Sequence, residues 1–283
     1  MKEIENDKNH DPKIEKYLLF LLLFINLISI FGYFIFSLHP DSLARWPWSV
    51  PIFAMSYPFF ARLQILTSFA ALVVALVRAT RFRWVKSFFV LITISATSEM
   101  LGTHFGFPFG KYSYTSFLGP KILDHVPWLI PLSWFFMAVP SFALTRLLMG
   151  NRANPLIRIL AAASFLLFWD ITLDPAMSHL ATFWIWEHPG NYYGMPMSNL
   201  MGWFITGCAL MIFLEKREAQ EWLSCVSSPF LIKLYLVNLV LPFGMCIAAG
   251  VWAPVLVSLV MGTSLALALS SKASRQAVSN TST

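Results

Sequence analysis

Long apolar runs separated by short polar connections recur along the whole chain. Since about 20 apolar residues are needed to cross the hydrocarbon core of a bilayer, these runs predict eight membrane-spanning helices. Their approximate bounds are 17–37, 54–77, 88–105, 128–149, 157–176, 200–214, 230–250 and 251–270. Pro58 interrupts the second run and the sixth is short, so seven spans is the alternative count. The pattern indicates an all-α, polytopic integral membrane helical bundle.

The first apolar run carries no charge from Tyr17 to Ser37. It is longer than the core of a secretory signal peptide and has no small-x-small cleavage site, so we expect it to remain as a span.

Of all residues 57% are hydrophobic and only 12% are charged, whereas soluble domains carry about 25% charged residues. Cys208, Cys225 and Cys246 are scattered without a CxxC pair, which argues against a disulfide framework or a structural zinc site.

The basic residues alternate between the two sides of the predicted bundle. Sixteen of the 20 lie in the two tails and in the second, fourth and sixth connections. The others lie on the opposite side: Arg45, Arg62, Lys111 and Lys121. Because short cytoplasmic loops are enriched in Lys and Arg, both termini are predicted to be cytoplasmic, which requires an even number of spans. The net charge of +6 therefore reflects topology and does not indicate a nucleic-acid partner.

The predicted organisation is one membrane domain, 17–270, between two polar cytoplasmic tails, 1–16 and 271–283. Its partner is the lipid bilayer. The simplest location is the inner (cytoplasmic) membrane of a cell, which the chain crosses several times.

Three acidic residues lie inside predicted spans: Glu99, Asp170 and Asp174. A charge at the bilayer centre costs about 3 kcal/mol or more, so these residues are candidates for function. The helical rise places Glu99 and Asp170 roughly 16 Å and 18 Å into their spans. Asp174 follows Asp170 by about one turn and projects from the same face. Pro175 disfavours helical geometry at Asp174 and is predicted to end the span there.

Both acid-bearing helices are thus predicted to break shortly after their acids. Irregular backbone at membrane depth occurs only where it is buried in protein or lines a cavity, so we expect the loops that follow to roof a pocket containing the acids. Carboxylates one turn apart in a low-dielectric medium repel each other. At least one of the three is therefore expected to be protonated and to serve as a proton donor. The alternative is structural, with Glu99 or Asp170 capping backbone or joining helices.

Other polar residues are predicted near the same end of the bundle. His104 and His179 lack the spacing of a metal site, which favours interfacial hydrogen bonding. Lys111 is expected either to pair with an acid or to lie at the membrane interface.

The segment 184–203 is dense in Trp, Tyr, Gly and Pro. Trp184 and Trp186 fit an aromatic belt at the membrane surface. Asn199 and Trp203, about one turn apart where the sixth span begins, are predicted to face the pocket instead. Aromatic rings there could stabilise a carbocation through their negative faces.

The middle of the chain carries five motifs. They are ExxGxxxGxPFGxYxY (Glu99–Tyr114), LGP (Leu118–Pro120), IPLSWFFMAVPS (Ile130–Ser141), DITLDPAM (Asp170–Met177) and NYYGMPMSNLMGW (191–203). Together these motifs resemble the CruF-type carotenoid 1,2-hydratase family, which includes the bacterioruberin-pathway hydratases. The resemblance covers about 97–205, the motif-bearing core.

The resemblance implies a hydro-lyase that adds water across the terminal C=C of an acyclic carotenoid end group and forms a tertiary alcohol. Lycopene, γ-carotene and a C50 precursor share this end group and are the implied substrates. The resemblance implies no organic cofactor and no metal. Association with other carotenoid enzymes is a further expectation.

The chemistry of alkene hydration assigns roles to the candidate residues. Protonation of the alkene produces a tertiary cation, so the site must supply a strong general acid, shield the cation and deliver one water. Asp170 or Glu99 is the candidate proton donor, and Asp174 the candidate partner of the water. The predicted substrate-binding residues are His104, Tyr112, Tyr114, Trp134, Asn199 and Trp203.

Three other functions compete with hydration. A carotenoid cyclase also protonates the end-group alkene, and the placement of the acids does not separate the two. A membrane prenyltransferase would use the DxxxD at 170–174 for magnesium diphosphate, but basic residues are sparse beside it. A proton-coupled carrier also shows broken helices and midplane acids, although no inverted repeat is evident.

Overall fold

The computed structural model describes residues 13–150 and 153–281. The α-helices in these ranges are α1 (Lys13–Gly32), α2 (Asp41–Arg45), α3 (Ser49–Thr80), α4 (Val85–Phe105), α5 (Leu129–Met149), α6 (Pro155–Asp174), α7 (Met197–Leu214), α8 (Arg217–Leu223), α9 (Ser228–Ala248) and α10 (Trp252–Thr281). Short π-helical segments, Tyr33–Ser37 and Pro175–Leu180, continue α1 and α6. The strands are β1 (Tyr112–Tyr114), β2 (Lys121–Ile122), β3 (Val126–Pro127) and β4 (Trp184–Trp186).

Among the described residues, eight helices are long and apolar enough to cross a membrane. This number and the helical architecture confirm the prediction from the apolar runs. Helix α3 is longer than its predicted run and contains Pro58 without interruption. The predicted cytoplasmic location of both termini stays a prediction.

The two predicted tails differ in what the structure describes. Of the predicted tail 1–16, residues 1–12 lie outside the described residues, and α1 begins at Lys13. Helix α10 continues to Thr281, beyond the predicted end of the last span at residue 270.

Helix α5 forms the centre of the bundle. It packs against α3, α4, α6, α7, α9 and α10, and an unbroken stretch from Leu129 to Ala143 is buried. Other helices, rather than lipid, therefore cover most of the α5 surface. The remaining spans are arranged around α5, and their outer faces are left to the lipid.

The predicted end of the fifth span at Asp174 is wrong. The α-helix does end there, but Asp174 keeps helical backbone angles (φ −62°, ψ −51°) and the chain continues as a π-helix to Leu180. Pro175 has no N–H to donate to the carbonyl of Ile171. The hydroxyl of Tyr192 donates to that carbonyl instead, at 3.0 Å. A loop residue thus replaces the missing backbone hydrogen bond and allows the helix to continue.

The two loops that follow α4 and α6 fold over one end of the bundle. Strand β1 of the first loop pairs antiparallel with β4 of the second, with Tyr112 opposite Trp186 and Tyr114 opposite Trp184. Gly106, at φ +80°, ends α4 in the left-handed conformation that favours glycine. Side chains alternate along β1, so both tyrosines are buried beneath the loop while Ser113 is exposed.

Candidate active site

A cavity of about 80 Å³ lies beneath these loops. We call it the acid cavity. Its walls come from α3, α4, α5, α6, α7, α9 and the two loops. The polar and aromatic residues on its lining are Gln64, Glu99, Phe109, Tyr112, Tyr114, Ser133, Trp134, Phe136, Trp169, Asp174, Phe183, Trp184, Trp186, Asn199, Trp203 and Asn238. The expectation that the loops roof a pocket containing acids is confirmed.

Glu99 of α4 is buried and accepts three side-chain hydrogen bonds. The hydroxyls of Tyr112 and Tyr114 donate to Oε2, the latter at 2.8 Å, and Nε1 of Trp134 donates to Oε1 at 2.8 Å. These donors come from β1 and α5, so the folding of the loop over α4 completes the environment of Glu99. Hydrogen bonds to an ionised group are stronger than neutral ones, and both oxygens of this carboxyl have donors.

Both tyrosines are held as hydrogen-bond donors. Burial, followed by the neighbouring charge of Glu99, raises the pKa of Tyr112 and Tyr114 well above the ordinary value of a phenol. They therefore stay protonated at neutral pH. The carbonyl of Tyr114 also accepts a hydrogen bond from Nζ of Lys121, which ties β1 to the start of β2.

Asp170 and Asp174 of α6 share one amide. Nδ2 of Asn199 lies 3.0 Å from Oδ2 of Asp170 and 2.9 Å from Oδ2 of Asp174. Asn199 sits in the first turn of α7, so the bridge forms where α6 and α7 pack together. Asp174 also accepts from Ser178 Oγ at 2.6 Å and more distantly from Trp186 Nε1 at 3.4 Å.

The two aspartates differ in how well their oxygens are satisfied. Asp174 has donors on both oxygens, whereas Oδ1 of Asp170 is buried and has no hydrogen-bond partner in the described part of the chain. An unpartnered oxygen on a fully buried carboxyl is costly when the group is ionised. Of the three acids, Asp170 is therefore the one whose surroundings stabilise a negative charge least.

Tryptophans line the wall between Glu99 and Asp170. The rings of Trp134 and Trp203 stack with centroids 4.0 Å apart and planes 21° from parallel. Trp169 meets Trp203 edge-on at 5.7 Å. These faces are suited to stabilise a cation in the acid cavity.

Phe109 closes the cavity between two helices. A Cβ at Gly102 of α4 would lie 2.7 Å from the Phe109 ring, and one at Gly202 of α7 would lie 2.4 Å from it. Only glycine leaves room for this ring at both positions. The glycines of the motifs thus allow the PFG segment to enter between α4 and α7.

Most predicted site residues meet in this cavity, but His104 does not. Glu99, Asp174, Tyr112, Tyr114, Trp134, Asn199 and Trp203 all line it, and Asp170 adjoins it through Asn199. His104 is exposed and packs against His125, with ring centroids 5.2 Å apart. His179 is also exposed. Lys111 forms an ion pair with Glu187 at 3.1 Å, outside the cavity.

Several cavity residues were missed or misread from sequence. The aromatic-belt interpretation of Trp184 and Trp186 is wrong, because both line the cavity. Gln64 of α3 and Asn238 of α9 also line it and are joined by a hydrogen bond from Gln64 Nε2 to Asn238 Oδ1 at 2.8 Å. Each is an isolated amide in a long apolar run, and this signal could have identified it.

Within the described residues, no group of three His, Cys, Asp or Glu side chains could hold a metal ion.

Comparison with known proteins identifies relatives. The profile of a family described as carotenoid biosynthesis protein matches residues 60–265, a range that includes all three acids. Bisanhydrobacterioruberin hydratase of Haloarcula japonica is 33% identical over 118 residues, which are 41% of this chain and 40% of that protein. The match therefore spans less than half the length of this relative. No solved structure matches the chain.

Proposed function

Because the chain belongs to the carotenoid biosynthesis protein family, we propose that it adds water across the terminal C=C of an acyclic carotenoid end group. The observation that carries this proposal is a buried aromatic cavity holding carboxyl groups, with no Lys, Arg or His among its described lining residues. Carboxyl groups without basic partners are suited to donate and accept protons. The similarity to a hydratase favours water over an internal alkene as the group that captures the cation.

The reaction needs two proton transfers that balance. A carboxylic acid donates its proton to C2 of the end group, and the alkene electrons form the new C–H bond, which leaves a tertiary cation at C1. Water bonds to C1 and loses a proton to a carboxylate. The product is the tertiary alcohol, and one proton must then return from the second carboxyl to the first.

Hydrogen bonding favours a particular division of these roles. Glu99, with three donors, is suited to remain ionised, to stabilise the cation and to take the proton from water. Asp170 and Asp174 share the amide of Asn199, and repulsion between them favours one shared proton. Asp174 lines the cavity and delivers that proton to the alkene. From the sequence, Asp174 was predicted to be the partner of the water. We now assign that role to Glu99, because its three hydrogen-bond donors favour the ionised form that accepts a proton from water.

The aromatic walls protect the cation. Trp134 and Trp203 present stacked rings to the cavity, and a water-poor site prevents premature capture. Trp134 also donates to Glu99, so the same side chain positions the carboxylate and borders the cation.

Expression in a bacterium that makes lycopene tests the proposal. The extracted pigments are separated by chromatography and analysed by mass spectrometry. They should include a pigment whose mass exceeds that of lycopene by one or two water molecules and whose chromophore is unchanged. A product of unchanged mass and blue-shifted absorption would mean cyclisation and would contradict hydration. Hosts that make γ-carotene or a C50 precursor identify the preferred substrate. The same host without the gene for this chain serves as the negative control in every case.

A further inference from the structure

A second cavity, of about 310 Å³, adjoins the acid cavity. It lies between α1 with its π-helical extension and the first half of α3. We call it the apolar chamber, and its walls include Ile28, Gly32, Phe36, Ile52 and Phe53. Four residues line both cavities: Ala61, Met177, Phe183 and Leu241. A single layer of side chains thus lies between the two voids, and a ligand that extends from the carboxyl groups into the chamber passes this layer.

The serine hydroxyls around the chamber are already satisfied. Those of Ser29, Ser49 and Ser56 each donate to a backbone carbonyl three or four residues earlier, at 2.7–2.8 Å. The hydroxyls of Ser37 and Tyr57 bond to each other. A chamber whose serine and Tyr57 hydroxyls are bound in this way, and whose other lining residues are mostly apolar, suits a ligand without polar atoms.

The chamber reaches the outer surface of the bundle. Trp48 and Ile52 line it and are 69% and 60% exposed. Trp48 directly precedes α3 and Ile52 lies in its first turn, beside the loops. Helix α3 is long and apolar enough to cross a membrane. The chamber therefore opens sideways between α1 and α3 at this end of the bundle.

Size limits what the chamber can hold. A cavity of about 150 Å³ binds one benzene, so the chamber accommodates a hydrocarbon segment only a few times larger. A complete carotenoid chain does not fit inside. Its remaining length has to pass through the lateral opening.

We infer that the apolar chamber binds the polyene chain of the same carotenoid whose end group occupies the acid cavity. This inference rests on the proposed function. The end group lies against the carboxyls, the adjoining conjugated segment fills the chamber, and the rest of the molecule lies in the lipid between α1 and α3. The protein therefore contacts only one end group of the carotenoid and the conjugated bonds next to it. The far end of the carotenoid lies outside the protein.

Gly32 offers a direct way to block the chamber. A Cβ added there meets no atom within 4 Å, and the backbone is helical with φ −60°. The substitution Gly32→Phe should therefore fill the chamber without displacing the helix. Ser56→Leu, on the facing helix α3, obstructs the chamber from the other side. Gly262→Phe is the matched control, because Gly262 lies on α10 outside both cavities and its nearest contact is 3.7 Å away.

Binding should be measured apart from turnover. Purified protein in lipid nanodiscs is titrated with lycopene, and the circular dichroism induced in the polyene absorption band reports binding. We expect Gly32→Phe and Ser56→Leu to raise Kd at least tenfold and Gly262→Phe to leave it unchanged. Hydration in the same samples should fall with binding.

The outcomes separate this inference from the proposed function. If lycopene binds the wild type and the two chamber variants equally well, the chamber holds something else, such as a lipid acyl chain, and the inference is wrong even if hydration occurs. If binding weakens as expected but no water is added to any carotenoid, the chamber assignment stands and the hydratase proposal fails. Loss of binding in Gly262→Phe as well would show a general defect and would also count against the chamber.

Discussion

Glu215 and the three acids of the acid cavity lie at opposite ends of the bundle, and their partners differ. Glu215, at the end away from the loops, pairs with the guanidinium of Arg158, whose Nε lies 2.8 Å from Oε2 and whose Nη2 bonds to Oε1. Glu99, Asp170 and Asp174 meet only neutral donors from Tyr, Trp, Ser and Asn. A matched pair of charges fixes two segments together, whereas carboxyls among neutral donors remain free to exchange protons. Burial alone therefore does not indicate function, but the identity of the partner does.

The largest expected effect is that of Asp174→Asn. General acid catalysis contributes about 10²–10⁴-fold, so turnover should fall by about that factor if Asp174 delivers the proton. The amide has the same shape and keeps the contact with Ser178. The measurement is the rate of hydrated carotenoid formation in membranes, normalised to folded protein.

Asp124→Asn is the matched control for this change. Asp124 is exposed in the first loop at φ +62°, a backbone conformation that Asn also tolerates. Its turnover should equal that of the wild type. Full activity in Asp174→Asn would instead place Asp174 among the structural acids.

The sequence predicted the spans and the acids because both depend on local signals. Charges in long apolar runs stand out individually, and Asn199 and Trp203 follow helical periodicity. The same periodicity argues against His104, since five residues after Glu99 correspond to about 140° around the helix. The donors of Glu99 were predicted only as substrate-binding residues. Their role depends on the pairing of two three-residue strands in distant loops, which no local pattern reveals.

The π-helix after α6 shows a second limit of sequence reasoning. Pro175 predicts a break, as the loss of its N–H would require in isolation. The hydroxyl of Tyr192, 21 residues after Ile171, donates to the Ile171 carbonyl instead. No local sequence pattern reveals a long-range contact of this kind. Here the contact allows the helix to continue past Asp174, which stays within hydrogen-bond distance of Asn199.

The next largest effect is expected for the ion pair between Arg158 and Glu215. Arg158 is 4% exposed, and removal of one member of a buried pair leaves an uncompensated charge that costs about 3–5 kcal/mol. Arg158→Met should therefore lower the free energy of unfolding by about that amount, measured by denaturant titration in detergent. The double variant Arg158→Met with Glu215→Leu should recover most of the loss.

Turnover of the same variants tests whether the Arg158–Glu215 pair also contributes to catalysis. The rate per folded molecule should be unchanged in both variants, because Arg158 and Glu215 lie away from the acid cavity. A drop in rate that persists in the double variant would connect the two ends of the bundle and contradict a purely structural role.

The smallest expected effect distinguishes two roles of Glu99. Tyr112→Phe removes one neutral donor and leaves those from Tyr114 and Trp134, a loss of about 1.5–3 kcal/mol for a hydrogen bond to a charged group. If Glu99 works as a carboxylate, turnover should fall about tenfold to a hundredfold, because the ionised form is less well stabilised. If Glu99 is instead the proton donor, the same change favours its neutral form and turnover should rise. Tyr17→Phe, at a tyrosine that is 69% exposed on α1, should change nothing, and the sign of the Tyr112→Phe effect then assigns the role of Glu99.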